Sequence, residues 1–220
     1  MYTFIITVAT SIVLGLNSEV DDNKSRVKFG EFTDSRDNHV YKTVKIGSQE
    51  WMAENFAYLP YICTSDSVNC GIWVYNYNGI NTAEAKKTLE YNNFGGLYSW
   101  ELAIQLAPEG WHLPSDDEWA KLEKQLGIEN FDILNKTWRG ANNEANRLKK
   151  KGDIGLDVIF GGWMTDYGKF NFIGEHANFW CSTEVDNERG CERLIGVNNG
   201  KIGRDAGNKG CGFSVRYIKD

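Results

Sequence analysis

The sequence predicts an α+β fold, a twisted antiparallel sheet carrying two or three short helices, and three features predict it. The stretch Gly110 to Trp119, Gly-Trp-His-Leu-Pro-Ser-Asp-Asp-Glu-Trp, sets a turn, a capped helix start and two large aromatics side by side. Residues 40–55 alternate apolar and polar positions around a Gly-Ser turn. Beyond Gly152 the chain is a run of short apolar segments cut by Gly and Asn. Helices early and strands late segregate the two element types, as α+β domains do.

The elements follow in order. Val40 to Asn55 reads as a hairpin: Val40, Val44 and Ile46 alternate with polar neighbours, Gly47-Ser48 turns, and Trp51-Met52 begins the return strand. Between Tyr58 and Tyr77, alternating Trp73, Tyr75 and Tyr77 predict a strand with one aromatic face. Gly95-Gly96 precedes Leu97, Tyr98 and Trp100, and a short helix runs through Leu106. Pro114 then holds Leu113 extended, so a new helix must start after it. Ser115 is its N-cap and Glu118 completes a capping box, with Asp116 and Asp117 favouring the positive helix end. Trp119, Leu122 and Leu126 form one apolar stripe, and Gly127 ends the helix. Trp111 and Trp119 are core aromatics on this reading.

A third short helix spans Asn143 to Lys151, with Ala145 and Leu148 inward and Lys149 to Lys151 at its negative end. Short strands follow at Val158 to Phe160, around Trp163 after the Gly161-Gly162 turn, at Lys169 to Phe172 and at Asn178 to Thr183. Leu194 to Val197 and Lys201 to Arg204 flank an Asn-Asn-Gly turn. The last strand, Gly212 to Ile218, places Phe213, Val215 and Tyr217 on one face and Ser214 and Arg216 on the other.

Composition bounds the function. The chain of 220 residues is 41% hydrophobic, enough to bury the core of a single domain. A net charge of -6 argues against nucleic acid as a partner, since phosphate binding needs clustered Lys and Arg. Residues 1–18 read as a signal peptide, because Phe4 to Leu14 is apolar yet short for a membrane span. No cysteine follows at a lipid-attachment position, so export to the cell surface or medium is expected. Membrane contact then arises only if the segment stays uncleaved. Residues 19–34 read as a polar linker and residues 35–220 as the folded domain.

Five cysteines fit an exported chain, where disulfides persist. Cys63 and Cys70 close a short polar loop, a link worth about 2.5 kcal/mol on the chain-entropy model. Cys191 with Cys211 is the expected second pair, at the edges of strands expected to be close, which leaves Cys181 as a buried thiol. The spacings lack a Cys-x-x-Cys clamp, so no metal site is expected.

Five strings make the chain resemble the Fibrobacter succinogenes major paralogous domain. They are Tyr41 to Gly47 with Trp51 to Asn55; Gly96 to Trp100; Pro108 to Ser115; Phe179-Trp180 before Ser182 to Glu184; and Gly212 to Arg216. The resemblance covers about Asp34 to Asp220, in order. It implies a C-type-lectin-like fold, one that also houses the formylglycine-generating enzymes, and it implies exported bacterial surface proteins. Members usually carry cysteines where this chain has Ala107 and Tyr217. Their joint loss implies that the two segments are neighbours and that Cys191 and Cys211 are local substitutes.

Three functions are weighed. The first is a non-catalytic binding module for a glycan or another surface protein, with Trp73, Trp163 and Tyr167 as the ligand-stacking aromatics because Gly or polar neighbours place them in loops. The Glu-Pro-Asn, Gln-Pro-Asp and Trp-Asn-Asp tripeptides of calcium-binding lectins are absent, so the module is expected to work without calcium or any other cofactor. The second is an oxidase of the formylglycine-generating type, which needs paired thiolates for copper or clustered histidines for iron. His39, His112 and His176 lie in three segments, and Cys181 and Cys191 meet only if the fold brings them together; no catalytic residue is assigned and no enzyme is expected. The third is a structural or assembly subunit, in which Glu184, Arg193, Arg204 and Arg216 are solvated or salt-bridging.

Overall fold

The structure is a computed structural model that describes residues 27–67, 69–128 and 138–220. The expected signal peptide and the linker up to residue 26 lie outside the described residues. The alternation around Gly47-Ser48 builds the expected hairpin: β2 (His39–Ile46) pairs with β3 (Gln49–Met52), Val44 opposite Trp51. The domain begins earlier than expected, however, because Phe29–Asp34 is not linker but strand β1, on the outer edge of β2. Its polarity hid it. Only Phe32 and Asp34 turn inward, Phe32 onto the Trp111 ring at 5.0 Å and Asp34 onto Arg36 Nε at 2.8 Å.

The expected aromatic strand between Tyr58 and Tyr77 shrinks to β4 (Ile72–Trp73), because Asn76 takes φ +57 and turns the chain. Two helices not read in the sequence follow, α1 (Thr82–Ala85) and α2 (Leu89–Phe94), capped by Asn81 and Thr88. Then come β5 (Leu97–Tyr98), α3 (Trp100–Gln105) and β6 (Trp111–His112). The capped helix α4 (Asp116–Gln125) forms as expected, with Ser115 Oγ accepting from the Glu118 N–H at 3.2 Å and the Ser115 N–H donating to Glu118 Oε2 at 2.8 Å. Its stripe is buried, and Trp119 meets Trp51 edge-on at 5.0 Å.

After β7 (Trp138–Arg139), the expected helix at 143–151 is only a 3-10 turn, Glu144–Arg147, although Ala145 and Leu148 do point inward. It stops there because Leu148 to Lys150 turn to backbone bonds with Val158. The C-terminal third is β-rich: β8 (Trp163–Met164) with β9 (Phe170–Asn171), then β10 (His176–Glu184), β11 (Arg189–Gly196), β12 (Ile202–Asn208) and β13 (Ile218–Lys219). Among the described residues, one antiparallel sheet has the order β1-β2-β3-β13-β6 and another β10-β11-β12-β7.

Residues 212–217 run between these sheets rather than within one. Gly212 exchanges backbone bonds with Met164, Phe213 with Tyr98, and Ser214 donates to Asn178 O. Val215 and Tyr217 carbonyls accept from the N–H groups of Phe56 and Met52. The expected alternation holds: Phe213, Val215 and Tyr217 enter a core with Tyr41, Phe56 and Trp180. Ser214 and Arg216, on the other face, are equally buried. A second core lies beyond it, built from Trp51, Trp119, Phe179, Ile195 and Ile202. Tyr217 donates to Ala103 O at 2.7 Å and Lys219 pairs with Trp111, so the segment around Ala107 runs beside the C-terminal one.

Cys63 and Cys70 are disulfide-bonded, their Cα atoms 5.9 Å apart. The expected Cys191–Cys211 bond is absent; both are free thiols. Cys191 faces the second core, whereas Cys211 follows β12 and faces the first, so the chain separates them.

His112 ties the C-terminus to α4, its Nδ1 2.6 Å from Asp220 Oδ1 and its Nε2 3.0 Å from Glu118 Oε1. Burial alone would lower its pKa, but the two carboxylates raise it above the ordinary 6.5. Its charge therefore stabilises the fold fully below about pH 6.5, and that contribution disappears as pH rises through the raised value. NMR titration of the imidazole is expected to show this, with Asp220→Asn moving the pKa back down; an unmoved pKa refutes the pairing. Ser115→Ala removes the cap and is expected to lower the melting temperature by roughly 2–4 °C, about 1 kcal/mol, read by circular dichroism.

Candidate functional site

A cavity of about 450 Å³ opens where four segments meet: the start of β2, residues 53–55 after β3, the end of α2, and the turn at Asp157. Its floor is Arg216. This side chain is 1% exposed, and its donors go to Asn55 Oδ1 at 2.7 Å, Met52 O at 3.2 Å, Leu156 O at 2.8 Å and Asp157 O at 3.4 Å. None of the four acceptors is a carboxylate. Burial pulls the guanidinium below its ordinary pKa, while the nearby carboxylates of Glu54 and Asp157 act in the opposite sense. Asn55 relays this anchor, donating from Nδ2 to Phe94 O at 2.9 Å and Ser214 Oγ at 3.3 Å.

The walls are polar and of mixed sign. Lys42 Nζ lies 3.3 Å from Asp157 Oδ2, and the Lys42 N–H donates to Glu54 Oε2 at 3.0 Å. Asn92, Asn93 and Lys150 face them. Gly95 at φ +74 lets α2 stop against the 55–56 backbone, where a Cβ would meet Phe56 O at 2.6 Å. An open groove continues the cavity along the β1 edge, sharing Val40, Lys42 and Glu54 and adding Phe29. Phe29 and Val40 are half exposed there, and Lys42 Nζ sits 3.5 Å above the Phe29 ring. The arrangement offers planar carboxylate and amide acceptors, cationic donors and an apolar edge within one cleft.

The expected ligand aromatics do not meet there. Trp73 is fully buried and donates to Thr64 O at 3.3 Å; it is a core residue, not a stacking surface. Gly212 admits it, since a Cβ would lie 3.0 Å from its ring. Trp163 is half-buried, edge-on to Phe213 at 5.8 Å. Tyr167 alone is well exposed, at 71%, on the β8–β9 turn. The cleft residues Lys42, Glu54, Asn55 and Asp157 were missed. Asn55 and Arg216 each end a family-like string, the one signal that marked any of them.

A second polar cluster is sealed. Arg193, 0% exposed, donates from Nε to Glu123 Oε1 at 2.6 Å and pairs with Asp116 Oδ1 at 2.7 Å. Arg139 pairs with Glu123 at 3.0 Å, and Arg204 grips both oxygens of Asp116. Arg193 and Arg204 thus bridge rather than face water, Arg216 is buried, and Glu184 pairs with Lys209. Cys181 and Cys191 do come together here, and Arg193 Nη1 donates to both sulfurs. The three histidines stay apart: His39 packs tilted against Tyr41, His112 binds α4, and His176 stacks on Phe172. No group of three or more metal-ligating side chains forms among the described residues.

A family model described as the Fibrobacter succinogenes major domain matches residues 44–219. No curated protein and no solved structure matches.

Burial would raise the Asp116 carboxyl, but Arg204 and Arg193 hold it down to about 2. Its folded value lies below the ordinary 3.8, so its stabilisation is whole above about pH 4 and is lost as pH falls through about 2. The loss is expected to be about 1–2 kcal/mol. Urea midpoints measured from pH 5 to pH 2 check it: Asp116→Asn flattens the acid limb, and an identical limb in the variant contradicts the assignment.

Proposed function

We propose that this chain, which belongs to the Fibrobacter succinogenes major domain family, is an exported, non-catalytic binding module with a C-type-lectin-like fold that holds a glycan in the Arg216-floored cleft. One observation carries the reading: the cavity and its groove along β1 set carboxylates, carboxamides and amines from four segments around one opening. Sugar hydroxyls both donate and accept, so they are best recognised by planar side chains that offer both roles within a single cleft. The groove suits an internal stretch of a chain more than a single terminal residue. Buried Arg216 and Asn55 act as the rigid base, which preorganises the walls. The reading places the protein at the cell surface or in the medium, with recognition independent of calcium.

A glycan array followed by calorimetry, with and without chelator, tests it. The paired variant Asn93→Ala and Lys150→Ala is expected to bind roughly tenfold or more weakly, the cost of losing hydrogen bonds to a ligand, with its melting temperature unchanged. Chelator is expected to have no effect. Full affinity in the cleft variant contradicts the site. The exposed Tyr167 and Phe172 of the β8–β9 hairpin favour a second reading, docking to another surface protein; binding lost in Tyr167→Ala alone selects it.

A further inference from the structure

The antiparallel register of β10 and β11 places Trp180 opposite Glu192, and Glu184 opposite Gly190. Between those two pairs the register shifts, and Cys191 is the one β11 residue set against residues 181–183, the first of which is Cys181. Both side chains are buried in the same core. A single nitrogen, Arg193 Nη1, also lies 3.6 Å from one sulfur and 3.3 Å from the other. Regularly facing residues, such as those that flank the shift, have Cα atoms about 4.5–5.5 Å apart. That spacing falls inside the range of about 4.4–6.8 Å that a disulfide spans. The remaining free thiol, Cys211, lies in the other core, out of reach of both.

We infer that Cys181 and Cys191 are a disulfide-forming pair, a second covalent cross-link that joins β10 to β11 across the bulge. The oxidant is a disulfide, either a small one such as oxidised glutathione or that of a thiol oxidoreductase. Either Cys191 or Cys181 can attack first, the other then resolving the mixed disulfide. When Cys191 leads, its thiolate attacks one sulfur of the oxidant, forming a mixed disulfide and releasing one thiol. Cys181 then gives up its proton and attacks the Cys191 sulfur. The protein disulfide closes, the mixed bond breaks, and the second thiol leaves. Two protein thiols are oxidised and one disulfide is reduced to two thiols, so electrons and protons balance. Both sulfurs are buried, so exchange takes place before α4 and Arg193 close over the hairpin. Burial pushes the Cys211 thiol up to about 12, which keeps it unreactive.

The test counts thiols in the full chain. The protein is refolded in a mixture of oxidised and reduced glutathione at a ratio where Cys63–Cys70 is closed, then denatured and alkylated, and its intact mass is read. One alkylated cysteine is expected, together with a peptide linking Cys181 to Cys191 after digestion without reductant. Cys211→Ser is expected to take up no alkylating agent at all. Three alkylated cysteines in the parent protein, or a linked peptide containing Cys211, overturns the proposal.

Discussion

The architecture depends on a buried cation with no carboxylate on it. Arg216 satisfies its guanidinium with an asparagine oxygen and three backbone carbonyls, drawn from Met52 at the end of β3, Asn55, and the turn at Leu156 and Asp157. A buried charge stripped of its hydrogen-bond partners is costly, so those carbonyls must stay where they are. They hold the C-terminal segment between the two sheets, and the segment in turn carries backbone bonds to Met164, Tyr98, Asn178, Phe56 and Met52. Each family-like string reaches this axis. Tyr98, Phe179 and Asn55 contact Phe213 to Arg216, and Trp111 pairs with Lys219.

The second buried charge cluster follows the opposite logic. Arg193, Arg139 and Arg204 are each paired with Asp116 or Glu123, so every cation of this cluster meets a carboxylate on site. Asp116 and Glu123 belong to α4, and the arginines to β7, β11 and β12, so the network fixes the helix against the second sheet. Removing one partner would leave another charge buried and alone, which is why such clusters confer a single geometry more than they confer net stability. The first cluster instead leaves its cation at the floor of an open cleft. That difference is what separates a scaffold from a place where a ligand can be held.

Local signals were legible where a short stretch carries its whole cause. The capping box at Ser115, the Gly47-Ser48 turn and the alternation of Phe213, Val215 and Tyr217 each depend on neighbours within a few residues, and all three formed as expected. Strand β1 was illegible because an edge strand needs only one buried side to pair, so its composition stays polar. The aromatic alternation at Trp73, Tyr75 and Tyr77 misled for a related reason: Asn76 in a left-handed conformation breaks the strand, and that backbone choice has no periodic signature. The cleft was hidden because its residues come from segments far apart in the chain. Trp73 and Trp163 are covered by distant segments: Gly212 lets the backbone come close enough to bury the first, and Phe213 packs against the second.

The sequence by itself determined the α+β class, the α4 helix, the Cys63–Cys70 loop and the membership of a family, since each rests on local chemistry or on strings in fixed order. Tertiary structure alone decided which polar residues are sealed and which line a cleft, and which cysteines meet. Cys191 shares Arg193 and a core with Cys181 rather than with Cys211 because strand pairing, not sequence distance, brings side chains together. Arg216 is a floor rather than a wet-face residue because both sides of the C-terminal segment are covered. Whether a strand has one covered face or two depends on what packs across it, and no window of sequence contains that partner.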